Sequence, residues 1–181
     1  GGYGRDHFLL DRPGGRCSRC EGLGRQYFNL EFLEDISQPC GVCGGRKYRD
    51  EIAEITLRGF SIADVLAMSV ARASRHFARV AKVHERLAAA ERCGLGHVVL
   101  GHDCRELEEG EWLRLRLSVE WTRASTRTWI LVDNPATGDH PADLSHTIFA
   151  LRELTDKGAT VIVADQHEAI VAAADHVVVM L

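Results

Sequence analysis

Lysine is scarce in this 181-residue sequence: only Lys47, Lys82 and Lys157 occur, and none follows a glycine. The pattern GxxxxGKS or GxxxxGKT is therefore absent, and with it the loop whose backbone N–H groups cradle nucleotide phosphates. Long apolar runs are missing too. No stretch of about 18 apolar residues is present, which excludes a membrane-spanning helix of that length. The opening "GGYGRDHFLL" lacks the basic stretch and long apolar region of a secretory signal, so a cytoplasmic location is predicted. A net charge of −4 excludes a generally basic nucleic-acid-binding protein. His140, His146, His167 and His176 show no metal-ligand spacing with one another and read as ordinary surface or core residues.

With 45% apolar and 27% charged residues, the chain reads as soluble and globular, one ordinary domain or one domain carrying a small insert. Its charge is uneven. Between positions 12 and 49, Arg12, Arg16, Arg19, Arg25, Arg46, Lys47 and Arg49 stand against four acids, Glu21, Glu31, Glu34 and Asp35. This segment is the one able to offer a local positive face, and a merely solvated surface explains the same residues equally well.

"YFNLEFL" (27–33) is the best strand of a hairpin in the first half, and "AEITLRG" (53–59) alternates like another strand. In "SIAD" (61–64) a serine and an acid three residues apart precede apolar residues, a variant of the capping box that starts a helix. Helix-forming sequence continues with breaks to Arg92, and "CGLG" (93–96) stops it. "EWLRLRLSVEW" (111–121) fits a strand by its alternating leucines and a helix by its length. Strand 129–133, a helix over about 141–156 with Leu144, Ile148 and Leu151 on one face, and strand 160–164 form a βαβ unit. A short helix (167–174) and a last strand, "HVVVML" (176–181), follow, and the chain stops inside that strand as a truncated or abruptly ended domain would. Strands this apolar are expected to be covered on both faces of a parallel sheet.

Cys17, Cys20, Cys40 and Cys43 form CxxC, nineteen intervening residues, then CxxC. Each CxxC turn presents two thiolates to one ion, and a connecting hairpin brings the pairs together, the tetrahedral set of a closed structural Zn²⁺ site. Disulfides are the alternative, disfavoured by the predicted location. A thioredoxin-like redox site is disfavoured because neither CxxC opens a helix after a strand. Four thiolates leave no open metal position, so the site is structural. Cys93 and Cys104 sit apart and read as ordinary thiols. "CSRCEGLG" and "CGVCGGRK" resemble the CxxCxGxG zinc repeats of DnaJ-type co-chaperones, but only two repeats occur and no J-domain pattern accompanies them.

Taken in order, these segments resemble UvrA, the damage-recognising ATPase family of bacterial nucleotide-excision repair, in the C-terminal part of its second ATP-binding half. "FLLDRPGGRCSRCEGLG" and "PCGVCGGRKY" resemble the entry to and exit from that family's last zinc module. "GFSIADVLAMSV" and "CGLGHVVLG" resemble the connection to the ABC signature, "LVDNPATGDH" the Walker B and D-loop region, and "VIVADQH" the H-loop. The resemblance implies an α/β fold: part of an ABC-type nucleotide-binding domain, a parallel sheet with helices, carrying a four-cysteine zinc-binding β-hairpin module. It implies a zinc module over 1–50, a helical signature-side region over 51–110 and an α/β core portion over 111–181. It also implies a surface that handles DNA, with Arg16, Arg19, Arg25, Arg46 and Lys47 as candidates for phosphate contacts that position DNA without reading its sequence.

The nucleotide-site positions match in place and differ in chemistry. In the family the phosphate loop lies ahead of the zinc module. The signature expected to read LSGGE reads "LEEGE" (107–111): Glu108 stands where a serine would meet the γ-phosphate, and Glu109 replaces a glycine ahead of Gly110. A carboxylate about 4 Å from a phosphate charge costs roughly 4 kcal/mol at an effective dielectric of 20, about a thousandfold in binding. Asp133 is retained in the Mg²⁺-holding place, but Asn134 occupies that of the glutamate that activates water, and an amide cannot accept that proton. Gln166 stands at the H-loop histidine position, with His167 one residue late, and Asp139 replaces an apolar D-loop residue. Without the resemblance, Asp133-Asn134-Pro135 is simply a strand entering a turn.

The expected function is that of a UvrA-like, zinc-containing, ABC-derived protein of DNA repair with no ATPase activity alone. Its expected partners are DNA, a complete UvrA-type subunit or a second copy of itself. Its expected cofactor is structural zinc, and neither ATP nor Mg²⁺. Two alternatives stand beside it: one piece of an active ATPase whose phosphate loop lies elsewhere, and a non-catalytic protein-interaction module with a DnaJ-like zinc hairpin.

Overall fold

Turns set by cysteine and glycine organise the first part of the chain. The computed structural model of the protein describes residues 2–28, 36–137 and 143–179. The chain divides into two compact units, Gly1–Ala67 and Met68–Leu181.

In the first unit β1 (Arg25–Phe28) pairs antiparallel with β2 (Ile36–Pro39), Arg25 opposite Pro39 and Phe28 opposite Ile36. The hairpin predicted around "YFNLEFL" is there. Its first strand begins two residues earlier than expected, and 29–35 lie outside the described residues. Gly24 enters β1 at a φ of 78°, and a Cβ on it would stand 2.9 Å from the Gly45 carbonyl oxygen, so only glycine fits between the two turns.

The strand expected over 53–59 breaks into smaller pieces: α1 (Asp50–Ala53), β3 (Thr56–Leu57) and β4 (Phe60–Ser61). Burial explains the first correction, because Ile52 and Ala53 join Tyr48 in a small core that a helical turn reaches and an alternating strand would not. Arg58 and Gly59 explain the second. Both have positive φ, 54° and 84°, as a two-residue type I′ loop requires, so the chain reverses after Leu57. Ser61 then caps α2 (Ile62–Leu66) as the sequence predicts: Asp64 N–H donates to its Oγ (3.1 Å), while the Asp64 carboxylate accepts the Ser61 N–H (2.8 Å).

The second unit opens with α3 (Val70–His76) and α4 (Ala81–Ala90), which is continued by a turn over Glu91–Leu95 that leaves helical geometry at Cys93 and at Gly94, the latter with a φ of 78°. A Cβ on Gly94 would lie 2.6 Å from the His146 ring, which is why "CGLG" both stops the helix and allows close packing. The ambiguous segment 111–121 is helix, within α5 (Glu109–Trp121). Its alternating leucines serve two cores. Leu113 and Leu117 join the cluster built on Val132 and Leu154, whereas Leu115 points to the cluster of Val70, Ala90 and Leu95.

β5 (Trp129–Asp133) and β6 (Thr160–Ala164) pair in parallel from Trp129 opposite Thr160 to Asp133 opposite Ala164, joined through α6 (Leu144–Asp156). Leu144, Thr147, Leu151 and Leu154 are buried at helical spacing, with Ile148 half-buried beside them. Double coverage of the sheet is not found among the described residues. Ile130, Val132, Val161 and Val163 face the core, but Trp129 and Leu131 on the opposite face are 67% and 74% exposed, with Ile162 beside them also exposed. The expected last strand is not found either. Residues 176–179 form no strand and Val177, Val178 and Val179 are exposed, pairing with neither edge of the β5–β6 pair; 180 and 181 are not described. Among the described residues no helix is long and apolar enough to cross a membrane.

Candidate functional site

The two CxxC turns bring Cys17, Cys20, Cys40 and Cys43 into one buried cluster whose four sulfurs all lie within 4.8 Å of one another. Sγ of Cys17 and Cys40 are 4.0 Å apart, and those of Cys20 and Cys43 are 3.7 Å apart. A tetrahedral ion with Zn–S bonds of about 2.3 Å sets sulfur separations of about 3.8 Å, so the donor set fits such an ion. A disulfide needs about 2.05 Å, and all six cysteines are free thiols. The turns also orient the sulfurs: the Gly24 N–H donates to Cys20 Sγ (3.2 Å) and the Gly44 N–H to the Cys40 carbonyl (2.8 Å). The Cys43 N–H holds the Cys40 thiol down at about 7, whereas burial pushes the Cys43 thiol up to about 12. Without a cation the cluster resists full ionisation, and a bound metal has to displace its protons. Cys93 differs. Burial, aided by Glu153, lifts its thiol to about 11 against the pull of Arg114 and Arg92, and it stands in the hydrophobic core as an inert group.

The basic residues singled out in the first unit are placed unequally. Arg16 donates to the Leu10 carbonyl (3.1 Å) and reaches Glu21 (3.3 Å). Arg25 crosses the hairpin to Ser37, with Nη2 2.8 Å from Oγ. Arg46 closes its own turn on the Cys43 carbonyl (3.1 Å) and pairs with Asp50 (2.7 Å). Lys47 is half-buried at a φ of 70°, and Arg19 is exposed. Three of the five thus also hold the module together, which spacing alone could not reveal.

In the second unit Glu108 and Glu109 stand exposed at the start of α5, with Gly110 buried behind them. Glu111 reaches back, its Oε2 accepting the Glu108 N–H (3.2 Å) while Oε1 lies 2.7 Å from His97 Nε2. The helix N-terminus, the end that attracts anions, is therefore already supplied with the chain's own carboxylates. Asp133 is exposed at the end of β5. Asn134 follows at a φ of 47°, a conformation asparagine tolerates. Its backbone N–H donates to the Ala164 carbonyl (2.7 Å), and its side-chain amide donates to Asp133 Oδ1 (3.0 Å). Gln166 is exposed. His167 caps α7 (Glu168–Ala173), Nδ1 accepting the Ala169 N–H at 3.2 Å, so that nitrogen is committed to the fold. Asp139 and His140 lie outside the described residues.

Asp165 is the residue that sequence reasoning missed. Its Oδ2 accepts the Ala136 N–H (2.9 Å) and its Oδ1 the His167 N–H (2.8 Å), tying the turn after β5 to the turn after β6. An acid directly after an apolar strand in "VADQH" was the available signal. Burial works against its ionisation, but the N–H groups of Ala136, His167 and Gln166 outweigh it and hold the carboxyl below its usual range. The folded form therefore favours the ionised carboxylate, and this contribution to stability is present above the ordinary carboxyl range and lost as pH falls through the folded value. Asp165→Asn is expected to lower the melting temperature at pH 7, with the gap to the parent chain closing below about pH 4. Melts at both pH values check this, and a gap that does not narrow in acid would contradict it.

A parallel strand pair joined through a helix and a buried four-cysteine cluster define an α/β protein carrying a metal-binding type of module. No family model matches the chain. UvrABC system protein A of Staphylococcus epidermidis (strain RP62A) is 35% identical over 178 residues, covering 98% of this chain and 19% of that protein. UvrABC system protein A of Bacillus subtilis (strain 168) is 37% identical over the same shares. The crystal structure of UvrA2 from Deinococcus radiodurans superposes with a TM-score of 0.89 at 38% identity, covering 96% of this chain and 22% of that one. The chain belongs to the UvrA family, corresponding to its C-terminal portion, and spans about a fifth of the length of the curated relatives it matches.

Proposed function

We propose that this chain is a zinc-stapled UvrA-type module of nucleotide-excision repair that binds DNA or partners a complete UvrA-type subunit, and does not hydrolyse ATP on its own. The observation that supports this reading is a contrast within one chain. All four thiolates needed for the metal are in place and buried together, while the nucleotide-site positions carry groups of the wrong charge or chemistry.

Cys17, Cys20, Cys40 and Cys43 would hold Zn²⁺, and the ion's role there is to fix the two CxxC turns relative to each other. Asn134 has no proton-accepting carboxylate to offer a water, and its amide already donates to Asp133. Glu108 and Glu109 set negative charge where a phosphate would approach α5. For DNA, the exposed Arg19 is free to meet a backbone phosphate. Arg16 and Arg46 each keep N–H donors beyond those used internally, since a guanidinium has five, and Lys47 adds a point charge. Such contacts position a duplex without reading its sequence.

Electrophoretic mobility shift with duplex DNA at about 50 and 200 mM salt tests the DNA half. Retardation at low salt that weakens steeply at high salt is expected, and no retardation even at low salt would remove it.

One observation favours a second reading, in which further polypeptide supplies the phosphate loop and restores turnover: the apolar face of β5 and β6 is bare. Adding a complete UvrA-type protein and measuring ATP turnover discriminates between the two, and no stimulation beyond the added protein's own rate counts against completion.

A further inference from the structure

Residues 15–17 run antiparallel to 47–49 beside the cysteine cluster. The Cys17 N–H donates to the Lys47 carbonyl (2.8 Å), the Arg49 N–H donates to the Gly15 carbonyl (2.9 Å), and Arg16 bridges to Tyr48. This pairing places Arg16 and Arg49 on the wall of one surface notch of about 160 Å³, completed by Pro13, Ser18 and Glu21. Arg16 is held there by the Leu10 carbonyl, and its contact with Glu21 balances the one acid in the notch. Arg49 is exposed, and its side chain has no hydrogen bond or ion pair among the described residues. Two guanidinium groups against one carboxylate leave the notch with a net positive charge and a hydroxyl at its edge.

That combination suits a tetrahedral oxyanion and repels a metal cation. A second hollow shares Ser18 and Arg49 but is lined by Cys17, Cys43, Asp50 and Glu51. Arg46 neutralises Asp50 at 2.7 Å, and Glu51 makes that hollow the less favourable side for an anion. Arg49 lines both, and only the first offers it a second arginine.

We infer that the notch of Arg16, Ser18 and Arg49 binds a phosphate group, with Arg49 and Ser18 as the direct donors, its source being the phosphodiester backbone of DNA. The choice of DNA as the source rests on the DNA-binding reading above. Phosphate contact thereby falls to Arg49 and Ser18, two residues outside the candidate set of Arg16, Arg19, Arg25, Arg46 and Lys47.

The test compares the zinc-loaded chain with Arg49→Gln, Ser18→Ala and Arg58→Gln. The last removes an exposed charge elsewhere in the same unit and controls for net charge. Arg49→Gln is expected to weaken duplex binding about tenfold at low salt and to lower the slope of log K against log salt by about one, uniformly across sequences. Ser18→Ala should weaken it less, and Arg58→Gln little. Zinc content equal to that of the parent verifies that the module is intact. If the parent binds duplex and Arg49→Gln matches Arg58→Gln in affinity and slope, the notch is overturned while the DNA reading stands. If the parent ignores duplex but inorganic phosphate or adenosine monophosphate binds it and not Arg49→Gln by calorimetry, the phosphate site stands and the DNA reading falls. Binding of neither probe overturns both.

Discussion

Cys40→Ser, or extraction of the metal by a strong chelator at neutral pH, is expected to unfold Gly1–Ala67. Among the described residues of this unit, the buried apolar side chains are the four sulfurs and a small cluster of Tyr48, Ile52 and Ala53 with a few half-buried neighbours, and a core that small rarely stabilises a fold without a staple. Structural Zn²⁺ contributes about 10–16 kcal/mol of apparent binding energy to modules of this kind, more than such a unit has to lose. Because protons compete for the thiolates, metal affinity should fall as pH falls, and chelation should become easier in mild acid. Tyr3, Tyr27 and Tyr48 are all the tyrosines of the chain and Trp112, Trp121 and Trp129 all its tryptophans, so tyrosine dichroism follows the first unit and tryptophan emission the second. Less than about half an equivalent of metal by elemental analysis, with four reactive thiols in a folded unit, would remove the structural role assigned to the ion.

Leu154→Ala is expected to cost the second unit about 2–5 kcal/mol, a large share of the roughly 5–15 kcal/mol by which domains are stable. Leu154 is 0% exposed on α6 and meets Leu117 of α5, Val132 of β5 and Ala159 before β6 in one cluster, so the cavity would open where four segments converge. Urea unfolding followed by tryptophan emission should show a markedly lower midpoint. Leu131→Ala provides the contrast: 74% exposed on the bare face, it should change stability by no more than about 0.5 kcal/mol. Equal midpoints for the two variants would mean that the core lies elsewhere.

What could be read beforehand was what depends on local spacing. The cysteine pairs, the Ser61–Asp64 cap and the β5–α6–β6 order follow from residues a few positions apart, and the structure reproduces them. What could not be read depends on distant partners. Leu113, Leu115 and Leu117 alternate as in a strand because α5 lies between two cores, and nothing within 111–121 announces the second one. Residues 50–53 become helix because Tyr48 offers Ile52 a buried neighbour. Asp165 gains its role from an N–H group twenty-nine positions earlier, at Ala136. The charge of the first unit was legible, but the engagement of Arg16, Arg25 and Arg46 with Leu10, Ser37 and Cys43 was not. The resemblance implies which positions would belong to a nucleotide site. Only the folded chain reveals that Asn134 bonds Asp133 and that Glu111 closes over the start of α5.

The bare face of β5 and β6 governs how this chain behaves at high concentration. Trp129, Leu131 and Ile162 form an apolar patch beside strand edges that have no partner among the described residues, and Val177, Val178 and Val179 add a β-prone stretch without charge. Such a surface is a template for strand addition, and it drives molecules together as concentration rises. Purified alone, the 181-residue chain should become turbid on warming well before its core melts. A lysine in place of Leu131 should delay that clouding while leaving the thiolate cluster and the arginine notch untouched.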